Sequence, residues 1–343
     1  MSGDAHTRLF NEAAEAPRVV HTQLETNRQL MERLGGALRD LSPRAVVTCA
    51  RGSSDHAATY ARYLIEAHTQ ALTSSAAPSM SSVYDASTEM RDVLFIAISQ
   101  SGKSPDLLAA TQSARRGGAT TVALCNTPEA PLMRAVDVAI PLHAGAETSV
   151  AATKSYIATL SCVVQLVAHW AQDFGLSAEL ARLPGQLARA WQCDWSAGAD
   201  ALAGAHNLYV VGRGFGLGIA QEAALKLKET CGLHAEAFSS AEVKHGPMAL
   251  VREGFPVLMF AQDDETRAGI EALAAEFAAR GATVLLAGAR ARGAITLPTI
   301  TAHPVLEPVL AIQSFYAMAN HLSLARGLDP DRPPHLLKVT ETV

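Results

Sequence analysis

The chain is written twice over. Val46 to Ala67, VVTCARGSSDHAATYARYLIEA, parallels Leu208 to Glu229, LYVVGRGFGLGIAQEAALKLKE: an apolar strand, an Ala-Arg-Gly or Gly-Arg-Gly turn, then a helix rich in Ala and long side chains. Downstream, VLFIAISQSGKSPDLLAATQSARRGGATTVALCN matches VLMFAQDDETRAGIEALAAEFAARGATVLLAGA as strand, loop, helix, a Gly-Ala turn at Gly118 and Gly281, and a further strand. A period of about 160 residues is too long for a solenoid unit and suits a duplicated domain. Within each copy, short β-rich apolar runs alternate with amphipathic helices. That alternation predicts an α/β fold: two tandem doubly wound parallel sheets with flanking helices. At 343 residues and 49% hydrophobic, the chain can bury one large or two medium cores, and its length favours two. The expected boundaries are an N-terminal helical segment over 1–41, a first copy over 42–176, a helical linker over 177–204 broken by Pro184, a second copy over 205–330 and a tail over 331–343.

Doubly wound sheets bind ligands beyond the carboxyl ends of their strands, so the loops after Cys49, Ile98, Val211 and Phe260 hold the candidate sites. The Gly-Lys-Ser at Gly102 is not an ATP-binding P-loop, because the glycine that motif requires falls on Ala97, inside the strand. What remains is a cluster of Ser99, Gln100, Ser101 and Ser104 at a strand-to-helix junction, where hydroxyls, amides and a helix dipole suit a small phosphate. Copy two carries AQDDET at this point, and Asp263, Asp264 and Glu265 repel phosphate. Phosphate binding is therefore expected of copy one alone. Ser53 and Ser54 present hydroxyls at the next helix start; capping accounts for one of them, and two beside a second serine-rich loop suit a polyhydroxylated ligand. ETSVAATKSY adds another hydroxyl-rich helix start with Lys154.

Copy two diverges where its chemistry is expected. Glu222, Lys226 and Glu229 fall at i, i+4 and i+7 and share one helix face. A solvated stripe is the ordinary reading of such a triplet, yet Ala223, Ala224, Leu225 and Leu227 between them predict a helix buried on more than one side, where a Lys and a Glu need a partner or a task. SSAEVKHGP adds Glu242, Lys244 and His245 before a Gly-Pro turn; a lone loop histidine is ordinarily a surface residue, and the neighbouring carboxylates weigh against that here. His234, Glu236 and His245 match no familiar metal-ligand spacing, so no metal is expected. In GRGFGLG the third glycine of the dinucleotide fingerprint falls on Leu217, which disfavours NAD and FAD, and no cofactor is expected.

A net charge of −5 with scattered Lys and Arg argues against nucleic acid or an anionic membrane as the partner, and no apolar run is long enough to span a bilayer. Five cysteines, none in a Cys-x-x-Cys pair, read as reduced and partly buried, and the compartment is expected to be the cytoplasm.

Taken in order, RGSS, SQSG, SVAATK, EAALKLKE, HAEAF, EVKHGP and the tail LLKVT resemble the sugar isomerase (SIS) domain proteins, in the branch of the isomerase half of glutamine:fructose-6-phosphate amidotransferase and the stand-alone glucosamine-6-phosphate deaminases. The likeness runs from about Arg44 to the C-terminus. It implies that Ser99, Gln100, Ser101 and Ser104 grip a sugar phosphate, with Ser54 and the backbone near Val150 on the sugar hydroxyls. It implies Glu229 as the base between C1 and C2, His245 as the ring-opening residue, Lys338 as the tail lysine that closes over substrate, and Glu222 and Lys226 in support. It also implies a homodimer in which His245 serves the neighbouring subunit's site. These residue types suit the chemistry, since moving a hydrogen between adjacent sugar carbons needs one carboxylate and oxyanion donors but no obligatory metal.

Two loops depart from the amidotransferase pattern: Lys103-Ser104-Pro105-Asp106 stands where Glu-Thr is usual after Ser-Gly, and RGSSDH replaces a Cys-Gly-Thr-Ser type of turn, closer to the deaminase branch. With about 40 residues ahead of copy one, a glutaminase module is not expected, which favours release of ammonia from glucosamine 6-phosphate. Alternatives are galactosamine 6-phosphate, a fructosamine 6-phosphate deglycase, a synthase-like isomerase without glutaminase, and a non-catalytic phosphosugar sensor.

Overall fold

The computed structural model of the protein describes residues 7–338. It contains two compact units that interleave along the chain: one holds residues 18–147, 155–181 and, of the tail, Leu337 and Lys338, and the other holds 7–17, 148–154 and 182–336.

The first unit is built on five parallel strands, β1 (Ala45–Cys49), β2 (Thr73–Ser75), β3 (Val93–Ser99), β4 (Thr120–Cys125) and β5 (Val138–Pro141), in the order β2-β1-β3-β4-β5. Every residue of β3 is buried, as its unbroken apolar run requires of a strand covered on both faces. Its register sets Val46 opposite Leu94 and Ser99 opposite Cys125, so the strands end together at one edge. Phe95, Ala97, Leu107, Ala110, Ala114 and Ala123 form one layer of the core. On this sheet lies the long helix Ala16–Leu41, whose buried Gln23 donates to the carbonyls of Leu142 and Ala158. A Cβ added at Gly35 would come within 2.7 Å of the backbone of His169, so glycine is what lets this helix approach the helix Lys154–Ala171 so closely.

The second unit repeats the plan with β6 (Asn207–Gly212), β7 (His234–Ser239), β8 (Pro256–Phe260), β9 (Thr283–Ala287) and β10 (Ile295–Leu297), ordered β7-β6-β8-β9-β10 and again all parallel. The duplication read from the sequence is thus a duplication of strand order, and both sheets have the flavodoxin-like winding. Ile270, Leu273 and Phe277 of the helix Arg267–Ala279 pack on Val257, Met259 and Leu286. The helix Glu307–Ala325 runs against the helix Gly216–Cys231, and Ser323 and Arg326 donate to the carbonyls of Thr230 and Cys231. The short helix Arg8–Ala14, capped by Thr7, is tied into this unit by Asp331, which accepts from the amides of Arg8 and Leu9, and by Gln313, which donates to Ala13.

No helix among the described residues is long and apolar enough to cross a membrane. Cys49, Cys125, Cys162 and Cys231 are buried, and all five cysteines are unpaired.

Candidate active site

In a sheet ordered 2-1-3-4-5 the winding reverses between β1 and β3, and the crevice beyond their carboxyl ends is where a ligand binds. In the first unit two loops border it. After β1, Arg51 precedes Gly52, whose φ of +55° makes the turn, and Ser53 and Ser54 open the helix Ser53–Thr69. After β3 come Ser99 to Ser104, leading into the helix Pro105–Arg116. The tasks within this second loop differ. Ser99 is buried, and its hydroxyl accepts from the amide of Gly102 at 2.9 Å, shaping the loop. The hydroxyl of Ser101 accepts more loosely from the amide of Lys103 at 3.4 Å. Gly102 turns with φ of +62°, packed so closely that a Cβ there would lie 2.7 Å from Cys125 Sγ. The carbonyl of Gln100 is held by Cys125 and Thr127 from below. The hydroxyls of Ser54 and Ser104 and the side-chain amide of Gln100 make no hydrogen bond among the described residues; Ser104 is the N-cap of its helix, but its hydroxyl makes no capping bond. They are donors available to a ligand. Beneath the crevice, burial, with Asp106 adding to it, pushes the Cys49 thiol up to about 12, so this cysteine is not a nucleophile near neutral pH.

The second unit fills its own switch point instead. The side-chain nitrogen of Gln262, which occupies the place of Gln100, donates to the Arg213 carbonyl, to Asp264 and to Thr266, bridging the two loops from within the protein. Thr266 is further taken up by Asp264, and Asp263 pairs with Arg267. The acidic loop is closed on itself, as its charges suggest.

The distinguishing chemistry of the second unit lies on the helix Gly216–Cys231. Glu222 and Lys226 are 0% and 1% exposed, and Lys226 Nζ sits 3.3 Å from Glu222 and 2.5 Å from Glu229. Glu222 also accepts from the hydroxyl of Tyr316 at 3.3 Å. Burial by itself would depress the Lys226 pKa, but the two carboxylates and their hydrogen bonds outweigh it and hold the pKa above its ordinary value, so the ammonium stays charged. Glu229 is the member that reaches the surface, at 19% side-chain exposure. The triplet predicted from spacing is therefore a buried ion cluster with one accessible carboxylate, not a solvated stripe.

His245 lies in the same unit, exposed, after the short 3-10 turn Glu242–Lys244; its backbone amide donates to Glu242, and its imidazole has no partner among the described residues. Val150 follows Thr148 and Ser149, whose amides donate to the carboxylate of Glu12. Lys338, the last described residue, belongs to the first unit, where its Nζ is 3.4 Å from the wholly buried Glu147, itself bound to Ser155. The remainder of the LLKVT motif and the tail, Val339 onward, lies outside the described residues. No group of three His, Cys, Asp or Glu among the described residues could hold a metal ion.

The SIS domain family model matches residues 41–169 and 201–288, the two sheets in turn. The chain belongs to the SIS domain family. This SIS protein is 32% identical over 320 residues to the glutamine--fructose-6-phosphate aminotransferase [isomerizing] of Zymomonas mobilis, covering 87% of this chain and 52% of that protein. It spans about half the length of the curated relatives it matches. Among solved structures, a Silicibacter pomeroyi protein provisionally described as a phosphosugar isomerase aligns with a TM-score of 0.92 at 43% identity, over 95% of this chain and all of that one. The C-terminal domain of glucosamine-fructose-6-phosphate aminotransferase from Francisella tularensis aligns with a TM-score of 0.87 at 25% identity, over 96% and 98% of the two chains.

Sequence reasoning passed over several residues that contact the candidate ones. Arg51 and Asp106 join the two crevice loops, Tyr316 completes the ion cluster, and Glu147 receives Lys338. Only Arg51 left a readable signal, being repeated as Arg213 in copy two.

Proposed function

We propose that the protein is a phosphosugar isomerase that moves a proton between C1 and C2 of an open-chain amino-sugar 6-phosphate, converting glucosamine 6-phosphate and water into fructose 6-phosphate and ammonia. The observation that carries this reading is the ion cluster: a charged, buried Lys226 fixes Glu229 as a partly exposed carboxylate, while Glu222, which accepts from Tyr316, holds the lysine from its other side. A positioned carboxylate of this kind is a general base. It takes the C2 proton of the 2-amino aldehyde and returns it at C1, giving a 2-imino alcohol. Water then adds at C2, and ammonia departs as the ketone forms. The donors of Ser54, Gln100, Ser101 and Ser104 suit the phosphate and hydroxyls of such a substrate. The kinship with aminotransferases whose name includes an isomerising step on fructose 6-phosphate supports the same substrate class.

In this reading His245 shuttles the proton that opens the sugar ring, a task that suits imidazole near neutral pH. Its exposure, in the exposed turn after Glu242–Lys244, is compatible with service to the site of a second subunit in a homodimer. Lys338 closes over the substrate. The test is ammonia release by the purified protein, coupled to glutamate dehydrogenase, from glucosamine 6-phosphate, galactosamine 6-phosphate and a fructosamine 6-phosphate in parallel. Ammonia from the first, with fructose 6-phosphate formed in equal amount, is the expected result. Release from only one of the others reassigns the sugar. Calorimetric binding without turnover of any of them makes the protein a sensor.

A further inference from the structure

Asp106 is 1% exposed and sits in the first turn of the helix Pro105–Arg116. One of its oxygens accepts from the amide of Leu107; the other takes both Nε and Nη2 of Arg51, each at 2.8 Å. Arg51 itself is 52% exposed, on the turn that follows β1. A guanidinium has five N–H groups in a rigid fork, and this clamp uses two, so three are left for a ligand. The pair thus spans the switch point and links the Arg51–Ser54 turn to the Ser99–Ser104 loop. Asp106 roughly offsets Arg51 and Asp55 lies within range of the same guanidinium, while the helix N-terminus and Lys103 add positive potential at this end of the sheet. The second copy provides an internal comparison. Arg213 stands where Arg51 does, but Ala268 replaces the aspartate, and that is the copy whose crevice is bridged by Gln262.

We infer that Arg51 binds the phosphate of the substrate and that Asp106 is the positioning residue that aims it. The inference rests on the reading of the substrate as a sugar phosphate. Serine hydroxyls and amides give the phosphate direction but no formal charge, and a clamped arginine adds that charge in the planar geometry a phosphate accepts. Holding the fork by one edge also removes most of the flexibility Arg51 would otherwise lose on binding. Lysine is a poorer substitute, because its ammonium lacks the planar fork that presents one edge to Asp106 and another to a phosphate.

The experiment is calorimetric binding of fructose 6-phosphate and of inorganic phosphate to wild type, Arg51→Gln, Arg51→Lys, Asp106→Asn and the Arg51→Gln/Asp106→Asn double variant, with melting temperatures recorded for each. Arg51→Gln should weaken both ligands by about tenfold or more, the worth of a charge-assisted hydrogen bond. Arg51→Lys should recover less than half of that loss on a logarithmic scale. Because Asp106 acts through Arg51, the double variant should bind no more weakly than Arg51→Gln alone. Arg51 is half exposed, so its variants remain informative even where Asp106→Asn lowers the melting temperature. An unchanged dissociation constant for Arg51→Gln overturns the inference, as does additive loss in the double variant. Wild type that binds neither ligand overturns it together with the sugar-phosphate reading. Phosphate binding that depends on Arg51, with no ammonia from any amino-sugar phosphate, upholds the inference and fails only the proposed reaction.

Discussion

Lys226 is the residue on which most charge depends. It is buried between two carboxylates, and replacing it with methionine leaves Glu222, 0% exposed, without its counter-ion. Breaking a buried pair from one side costs about 3–5 kcal/mol, so Lys226→Met should lower the melting temperature steeply. Removing the stranded charge as well, in Lys226→Met/Glu222→Gln, should restore part of that loss, and chemical denaturation of the three proteins checks both steps. The raised pKa of Lys226 also sets a pH window. A lysine whose folded pKa lies above its ordinary 10.5 contributes stability in full below that value and loses it as pH rises through the folded pKa. Between pH 6 and 9 the stability difference between wild type and Lys226→Met should therefore be flat in this lysine's contribution. Above about pH 10.5 it should shrink. Melting curves from pH 6 to 11 show whether it does.

At the scale of elements, the junction from β3 to its helix is tuned by one glycine. Gly102 has φ of +62°, and a methyl placed there would come within 2.6 Å of Ala130 Cβ and 2.7 Å of Cys125 Sγ. Gly102→Ala meets both a disfavoured backbone region and a packed wall, and should cost about 1–3 kcal/mol. The loop can relieve the clash only by moving away from Cys125, so phosphate affinity should fall along with stability; calorimetry and thermal melting on one preparation measure the two. Elements of this kind were largely legible in the sequence. Strand, glycine turn and helix recur in both copies, and a continuous apolar run such as β3 has few other uses. The face shared by Glu222, Lys226 and Glu229 followed from helical periodicity. What escaped was long-range pairing. Arg51 and Asp106 are 55 residues apart, and Tyr316 and Glu222 are 94 apart. Neither separation leaves a periodic trace, since such contacts depend on how strands are ordered in the sheet and how helices pack.

Across the whole molecule, duplication supplied two copies of one crevice, and side chains then divided the work. The first copy leaves Ser54, Ser104 and the Gln100 amide without hydrogen bonds among the described residues, while the second bridges its switch point with Gln262 and carries an ion cluster on the helix after β6. The units do not follow the linear halves of the chain. The segment 148–154 falls with the second sheet, where Glu12 binds the amides of Thr148 and Ser149 and Glu15 pairs with the buried Lys154. That grouping was not readable from composition, because the segment is as small and polar as an ordinary loop. On these grounds we propose Glu229 as the base. Its most direct test is ammonia release from glucosamine 6-phosphate by wild type and Glu229→Gln side by side, with fructose 6-phosphate affinity measured on both. A rate reduced by about 10²-fold or more in the variant, with affinity essentially retained, is the expected result. A variant that turns over like wild type, or a wild type that binds fructose 6-phosphate and releases no ammonia, would contradict it.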